Sequence, residues 1–557
     1  MKMTSLLTWL CIIGSSIGMN ADAERGLIQQ AKLIAADGGG GDFFGYSVAL
    51  SLDGNTAIAG VYDADVGGHA NQGAAYVFTR SGATWSQQAK LTAADGDTDD
   101  QFGSSVALSS DGNTVIAGAE ATVGGNANQG AVYVFTRSGS SWSQQAKLTA
   151  AEGAAYDLFG SSVALSSDGD IAIAGAYNVE VGGNTHQGAA YVFTRSGSSW
   201  NQQAELTAAD GAAYDSFGYS VALSLDGNAA IAGAYDAHVG GHANQGAAYV
   251  FTRSGSSWSQ QAKLTAADGA AEDLFGCSVA LNSDGNTAIA GAEHADVGGN
   301  ANQGAAYVFT RSDSSWSQQA KLTASDGGAR GDDFGGSVAL SSDGNTAIAG
   351  ARYAYVGGNA NQGAAYVFTR SGSFWSQQAK LIASDGGAND SFGYSVALSS
   401  DGNTAIAGAL EATVGGNANQ GAAYVFYNDV IPTVGPTIKA NGATGTVTVN
   451  YPETVSITVE MNADNYAGTP VDWWVIAIAG SSWYYLNNSF QWIPENNLLN
   501  WHPVYQGRLF NTSLTVLNSF QLPRGTYYFW FAVDYPMEGI LNLNGTILYD
   551  MVTVVVQ

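Results

Sequence analysis

The sequence is poor in cysteine, proline and positive charge, and each shortage excludes something. Of 557 residues two are Cys, eight are Pro and 19 are Lys or Arg. Cys11 lies in an N-terminal stretch expected to be removed, which leaves Cys277 alone, so no intrachain disulfide is expected. Against the 19 basic residues stand 47 Asp and Glu, for a net charge of −28. A surface so short of cations argues against nucleic acid and anionic membranes as partners. Charged residues are 12% of the chain, too few for a disordered acidic tail. After the N-terminus no run of 18 apolar residues occurs, so no membrane span is expected. There is no H-E-x-x-H, no phosphate-binding Gly-Lys loop and no cysteine cluster; the one G-x-S-x-G, Gly14 to Gly18, falls in the leader.

Residues 1–23 read as that leader. Lys2 gives a positive start, "LLTWLCIIG" is a short apolar run, and Ala21-Asp22-Ala23 fits an A-x-A cleavage site. The expected localisation is secreted or cell-surface.

What the chain does have is a repeat. Phe-Gly recurs at Phe44, Phe102, Phe159, Phe217, Phe275, Phe334 and Phe392, spaced by 57 to 59 residues. Each unit holds four β-type runs, in the second unit "SSVAL", "TVIAGA", "AVYVF" and "WSQQAKL", separated by "SSDGN", a Gly-rich stretch and "RSGSS". No 3.6-residue apolar period is visible, so helices should be nearly absent. Seven units of four antiparallel strands fit a β-propeller, with a linear solenoid as competitor. The chain ends decide. The seventh unit stops at "AAYVFYNDV" without its "QQAKL" strand, while "GLIQQAKL" opens the fold with no strand attached. An N-terminal strand that completes the last sheet removes two open edges. The expectation is an all-β, seven-bladed propeller closed by residues 28–34.

The unit "FGSSVALSSDGNTAIAGA" resembles the FG-GAP repeat of the integrin α-chain propeller. With "GAAYVFTRSGSSWSQQAKL" downstream it is closer to the form common in secreted bacterial proteins. The resemblance covers residues 27–427. It implies the propeller fold, and for integrin-type repeats a D-x-D-x-D-G calcium loop between the first two strands. Here that loop has shrunk to "SSDGN" or "SLDGN", which a β-turn explains, so those calcium sites do not carry over.

Two loops vary between copies, the one entering each Phe-Gly and the one following Gly-Ala. Strand alternation puts both on one face, which carries 26 Asp and Glu against Arg330 and Arg352. Loops on a rigid scaffold concentrate binding sites. The candidate ligand-reading residues are Tyr62, Asp63, Asp65, Glu120, Tyr177, Asn178, Glu180, Tyr235, Asp236, His238, Glu293, His294, Asp296, Arg352, Tyr353, Tyr355 and Glu411. Asp95, Asp97 and Asp99 alternate as in the first half of a calcium loop and are the candidate metal ligands, although Val106 replaces the twelfth-position Glu.

All eight Pro lie beyond residue 431. The expected organisation is therefore a propeller over 24–427, a linker over 428–437 and an Ig-like β-sandwich over 438–557. Neighbours Trp473 and Trp474 point to opposite sheet faces, which leaves one of them open to exposure. "NNSFQWIPENNLLNWHPVYQG" is an Asn- and aromatic-rich loop of the sort that can stack on sugars, and core and loop packing is the expectation for these aromatics. The reading of the whole is a recognition or adhesion protein that binds an extracellular protein or glycan through the acidic face, with calcium as a candidate cofactor. A carbohydrate-active hydrolase or lyase and a purely structural surface protein stay open as alternatives; no catalytic residue is assigned.

Overall fold

The computed structural model describes residues 26–557 except 83, 329–330, 430–435, 462–469, 496–499, 509–511 and 536–545. The leader, Arg330 and most of the expected linker lie outside the described residues. Gly26–Asp429 form one compact unit and residues from Val430 onward belong to another. No α-helix occurs among the described residues.

The first unit is seven four-stranded antiparallel sheets. In the first blade the strands are Phe44–Leu50, Thr56–Val61, Ala74–Ser81 and Thr84–Leu91, in that order from the axis outward. The seventh blade takes its outer strand from the N-terminus. Gly26–Leu33 pairs antiparallel with Ala422–Asp429, from Gly26 opposite Asp429 to Leu33 opposite Ala423. A closed ring leaves no sheet stack with an open end.

The repeated residues explain why the blades close into a circle. The Phe of every Phe-Gly is buried between two blades against the Tyr and Phe of "YVF", edge-on to the Phe and edge-on or tilted to the Tyr, as Phe102 is edge-on to Tyr133 at 5.6 Å and to Phe135 at 5.8 Å and Phe44 is tilted to Tyr76 at 5.9 Å. The turn residue after each first strand donates its backbone N–H to the equivalent carbonyl one blade on. The series runs Leu52, Ser110, Ser167, Leu225, Ser283, Ser342, Ser400 and back to Leu52, with N···O distances of 2.8 to 3.2 Å. At the outer edge the first Gln of "QQ" accepts a backbone N–H from the preceding blade, and Gln29 of the N-terminal strand fills that role for Ser384 at 2.9 Å. The repeated Trp lies in this outer seam rather than deep in the core. Trp142 is half-buried, donates to Gln88 of the preceding blade at 2.8 Å and is covered by Arg137.

The "SLDGN" turn holds itself together. Asp53 accepts from Ser51 Oγ at 2.6 Å and from the backbone N–H and side-chain amide of Asn55, both at 2.9 Å. Burial alone would raise its carboxyl pKa, but these donors hold it below the usual range. The turn needs no metal.

The second unit is a sandwich. A three-stranded sheet (Thr437–Ala440, Val455–Met461, Thr512–Phe520) and a larger sheet built on Pro470–Ala479, Gly525–Tyr535 and Thr546–Val556 share one core of Ile438, Val459, Val475, Phe531 and Val554, among others. Both neighbouring tryptophans are buried, as the packing reading expects. Trp473 fills that core, while Trp474 on the opposite face is covered by Trp483, Tyr485 and Trp501. The Asn- and aromatic-rich loop supplies Trp501 as a cover, packed 5.8 Å from Trp483, so loop packing buries the second face.

Candidate functional site at the axial mouth

Each loop after Gly-Ala leaves the second strand near the axis and returns to the third, so its successive residues point to different places. The first loop residue turns inward. Tyr62 packs on Tyr46 at 4.2 Å, and Tyr177 and Tyr235 meet Tyr219 at 5.3 and 4.3 Å. Tyr46 in turn meets Tyr394 at 5.0 Å. Tyr46, Tyr219 and Tyr394 come from the innermost strands, each between the motif Gly and a Ser. The other four blades put Ser104, Ser161, Cys277 and Gly336 in that slot. Aromatic residues of the loops and of the inner strands thus converge around the mouth of the axis. Tyr219 is 40% exposed, so these rings are reached by solvent. Burial, followed by the Asp63 charge, pushes the Tyr62 hydroxyl up to about 12.

Beside Tyr394 the loops supply charge. Arg352 bridges Asp333 at 2.8 Å and Glu293 at 3.1 Å, and its guanidinium lies 5.0 Å from the Tyr353 ring and 5.7 Å from Tyr394. Its Nε has no hydrogen-bond partner among the described residues. One guanidinium between two carboxylates leaves the group one negative charge in excess. Burial pushes the Asp333 carboxyl up to about 6, against the pull of Arg352 and with the Glu293 charge adding to the rise. Cys277 is buried alongside, its Sγ 3.7 Å from the Gly335 carbonyl oxygen, and burial raises its thiol pKa.

The second loop residues are anchored rather than free. Asp63 accepts from Gln101 at 2.9 Å, Asp236 from Ser216 at 3.1 Å, Glu411 from Ser391 at 3.1 Å and Glu120 from Asn128 at 3.4 Å. Burial raises the carboxyl pKa of Asp63, Glu120 and Asp236. Asn178 and His294 are half-buried, and Tyr353 is exposed. The third residues stand at the rim, away from the aromatic cluster. There Asp65 and Asp296 accept backbone N–H groups of their own loops from Asn71 at 3.1 Å and Asn302 at 3.0 Å, and His238 does the same for Asn244 at 3.5 Å. Glu180 and Tyr355 are exposed at the same position.

Asp95, Asp97 and Asp99 are not brought together. Asp95 pairs with Lys147 at 2.7 Å, Asp97 with His69 at 2.9 Å, and Asp99 accepts from Asn71 at 2.9 Å. Their neighbour Asp100 is buried and accepts the Asp97 backbone N–H at 2.7 Å, a contact repeated by an Asp in every blade, such as Asp157 with Ala154 at 2.6 Å. Among the described residues no group of three or more His, Cys, Asp or Glu is placed to hold a metal ion. No helix there is long and apolar enough to cross a membrane.

The inner-strand tyrosines and Asp333 are the site residues that loop comparison misses. The signal of the tyrosines is in the sequence: the residue after the motif Gly is Tyr, Ser, Ser, Tyr, Cys, Gly and Tyr in turn, within a strand that otherwise hardly changes.

A closed seven-bladed propeller with one uniform face and one varied, aromatic and acidic face is a binding scaffold. Residues 27–78, 85–135, 142–193, 200–251, 258–309, 316–368 and 375–426 each match the FG-GAP repeat, and the chain belongs to the FG-GAP repeat family. No curated protein matches it in sequence. Among solved structures it is similar to "Structure of U3-55K", at 10% identity over 71% of this chain and 97% of that one, with a TM-score of 0.45. It is similar also to "Crystal structure of RRP9 WD40 repeats", at 10% identity over 72% and 99%, with a TM-score of 0.44.

Proposed function

We propose that this is an exported recognition protein that binds an extracellular protein or glycan at the axial mouth of its varied face. The observation that carries the reading is the convergence of Tyr46, Tyr219 and Tyr394 with Tyr62, Tyr235 and Arg352 at one place, while the opposite face repeats itself blade by blade. Tyrosine gives large contact area at low entropic cost and a hydroxyl for orientation. The surrounding carboxylates favour a partner that brings hydroxyl or cationic groups.

The test uses the chain's own sister blades. Tyr46→Ser, Tyr219→Ser and Tyr394→Ser together copy what Ser104 and Ser161 already do in the same slot. Glycan arrays and a panel of extracellular proteins identify the partner of the parent. The triple variant should keep the parent melt and lose that binding at least tenfold. Binding retained in full would place the site elsewhere.

A second reading, a hydrolase or lyase, draws on one observation: Asp333 is a carboxyl with a raised pKa beside a second carboxylate in an aromatic cleft. Arg352 ties both carboxylates together, which suits a fixed binding group better than a pair that must flank a scissile bond.

A further inference from the structure

Six of the seven blades carry the same device at the outer edge of the varied face. In the first blade Lys90 of the fourth strand pairs with Asp37, which opens the loop into that blade, at 2.8 Å. The Lys90 ammonium also lies 5.4 Å from the centroid of the Tyr76 ring on the third strand. The same arrangement recurs at Lys32, Lys147, Lys263, Lys321 and Lys380, with ion pairs of 2.7 Å and ring distances of 5.1 to 5.3 Å.

The third blade keeps the frame and changes the charge. Tyr191 stands opposite Glu205 in the ladder, as Tyr76 stands opposite Lys90. Glu205 therefore takes the lysine position, and Glu152 takes that of the aspartate. Tyr191 is 4% exposed, against 0 to 1% for the six sister tyrosines that a lysine covers. Ala151 donates its backbone N–H to Gln202 of the fourth strand at 3.0 Å, as Ala36 does to Gln87 in the first blade, so the loop that carries Glu152 keeps its place beside the strand of Glu205. Burial raises the Glu205 carboxyl pKa, and the Glu152 charge adds to the rise. Burial, followed by the charges of Glu205, Asp157 and Glu152, raises the Tyr191 hydroxyl pKa. A ring face and two carboxylates remain where six sister blades hold an ammonium.

We propose that the notch of Tyr191, Glu152 and Glu205 takes a primary ammonium from outside the chain, as offered by a lysine side chain of a partner protein. The sister blades define the chemistry. Their occupant is an alkylammonium that binds one carboxylate and lies over a tyrosine ring. A metal ion has no such use for a ring face, and the described residues form no three-ligand metal group here. The notch is separate from the axial mouth and does not depend on it.

Titration of the full chain with a Gly-Lys-Gly peptide capped at both ends, followed by backbone amide NMR, tests this. Saturable shifts are expected at Ala151, Gly153 and Glu205. They should be lost when the peptide lysine is acetylated, and lost in Glu205→Lys, which rebuilds the sister arrangement. Glu205→Gln, which removes one charge without filling the notch, should weaken binding about tenfold. n-Butylammonium separates two sources of the same group: weaker binding than the peptide supports a protein lysine, and equal binding overturns that assignment in favour of a small amine. Shifts that do not saturate, that persist in Glu205→Lys, or that sodium chloride reproduces at equal ionic strength would overturn the proposal.

Discussion

Gly60 of the first blade stands against the carbonyl oxygen of Gly103 in the second, and a β-carbon on Gly60 would overlap that oxygen. Gly103 is the Gly of Phe-Gly, held at φ of 93°, and Gly60 is the next-to-last residue of the second strand. The two constant glycines of the repeat therefore exist for each other across a blade boundary. The contact recurs around the ring to Gly408 against Gly45. Backbone cannot step aside as a flexible side chain can, so Gly233→Ala, which faces Gly276, should cost about 3 kcal/mol. Gly39→Ala, whose added methyl would meet Asp42 at ordinary contact distance, should change stability by less than about 0.5 kcal/mol. Denaturation midpoints of the two variants check this; equal midpoints contradict it.

Removal of residues 26–33 takes away more than one strand's ladder. Ser384 loses its acceptor Gln29, Trp85 loses Gln30, and Asp385 loses the Lys32 ammonium. It also leaves Ala422–Asp429 as an open edge. The truncated chain should aggregate or lose its cooperative melt, and a synthetic peptide of residues 26–34 should restore the melt. A truncated chain that melts like the parent would contradict the closure.

Fold and site were legible to different degrees, for physical reasons. Strand count and closure follow from local patterns that recur seven times, so "GLIQQAKL" could be matched to its missing place. The face on which the varied loops lie followed from strand alternation. Single side chains were harder. Asp95, Asp97 and Asp99 have calcium-like spacing, but Asp95 belongs to the column of aspartates that pair with lysine, as Asp37 does with Lys90. Tyr46 was missed because it sits inside a strand, where attention to loops does not look. Burial of Trp474 was the expectation, but its cover, Trp501, comes from a distant loop whose path no local pattern reveals.

Calcium should have no specific effect on the propeller. Asp95, Asp97 and Asp99 already have separate partners, and a shared site would require Asp95 to give up Lys147. Calcium and sodium salts at matched ionic strength should move the melt equally, by screening the acidic face. Asp97→Ala with Asp99→Ala should respond as the parent does. A calcium shift beyond the sodium shift that the double variant loses would show that these carboxylates rearrange around the ion.

Asp333 should make the acid side of the stability profile rise where acidic proteins usually fall. Its side chain is 7% exposed, and burial holds its pKa at about 6 in the fold, against an unperturbed value of 3.8. As pH falls through 6 the native state takes up this proton, while the unfolded chain waits until about pH 4. The contribution is thus fully present below about pH 4 and lost as pH rises through 6. Two pKa units correspond to roughly 3 kcal/mol. The aspartates paired with lysine, such as Asp37, are shifted down and act in the opposite direction. Their effect is common to the parent and to Asp333→Asn, so the difference between the two proteins isolates Asp333. Asn stands in for the neutral carboxyl at every pH. From pH 7 to pH 4 the parent should gain up to about 3 kcal/mol on Asp333→Asn, read from denaturant titrations at each pH. Two profiles that run parallel across this range would mean that Arg352 holds Asp333 ionised throughout.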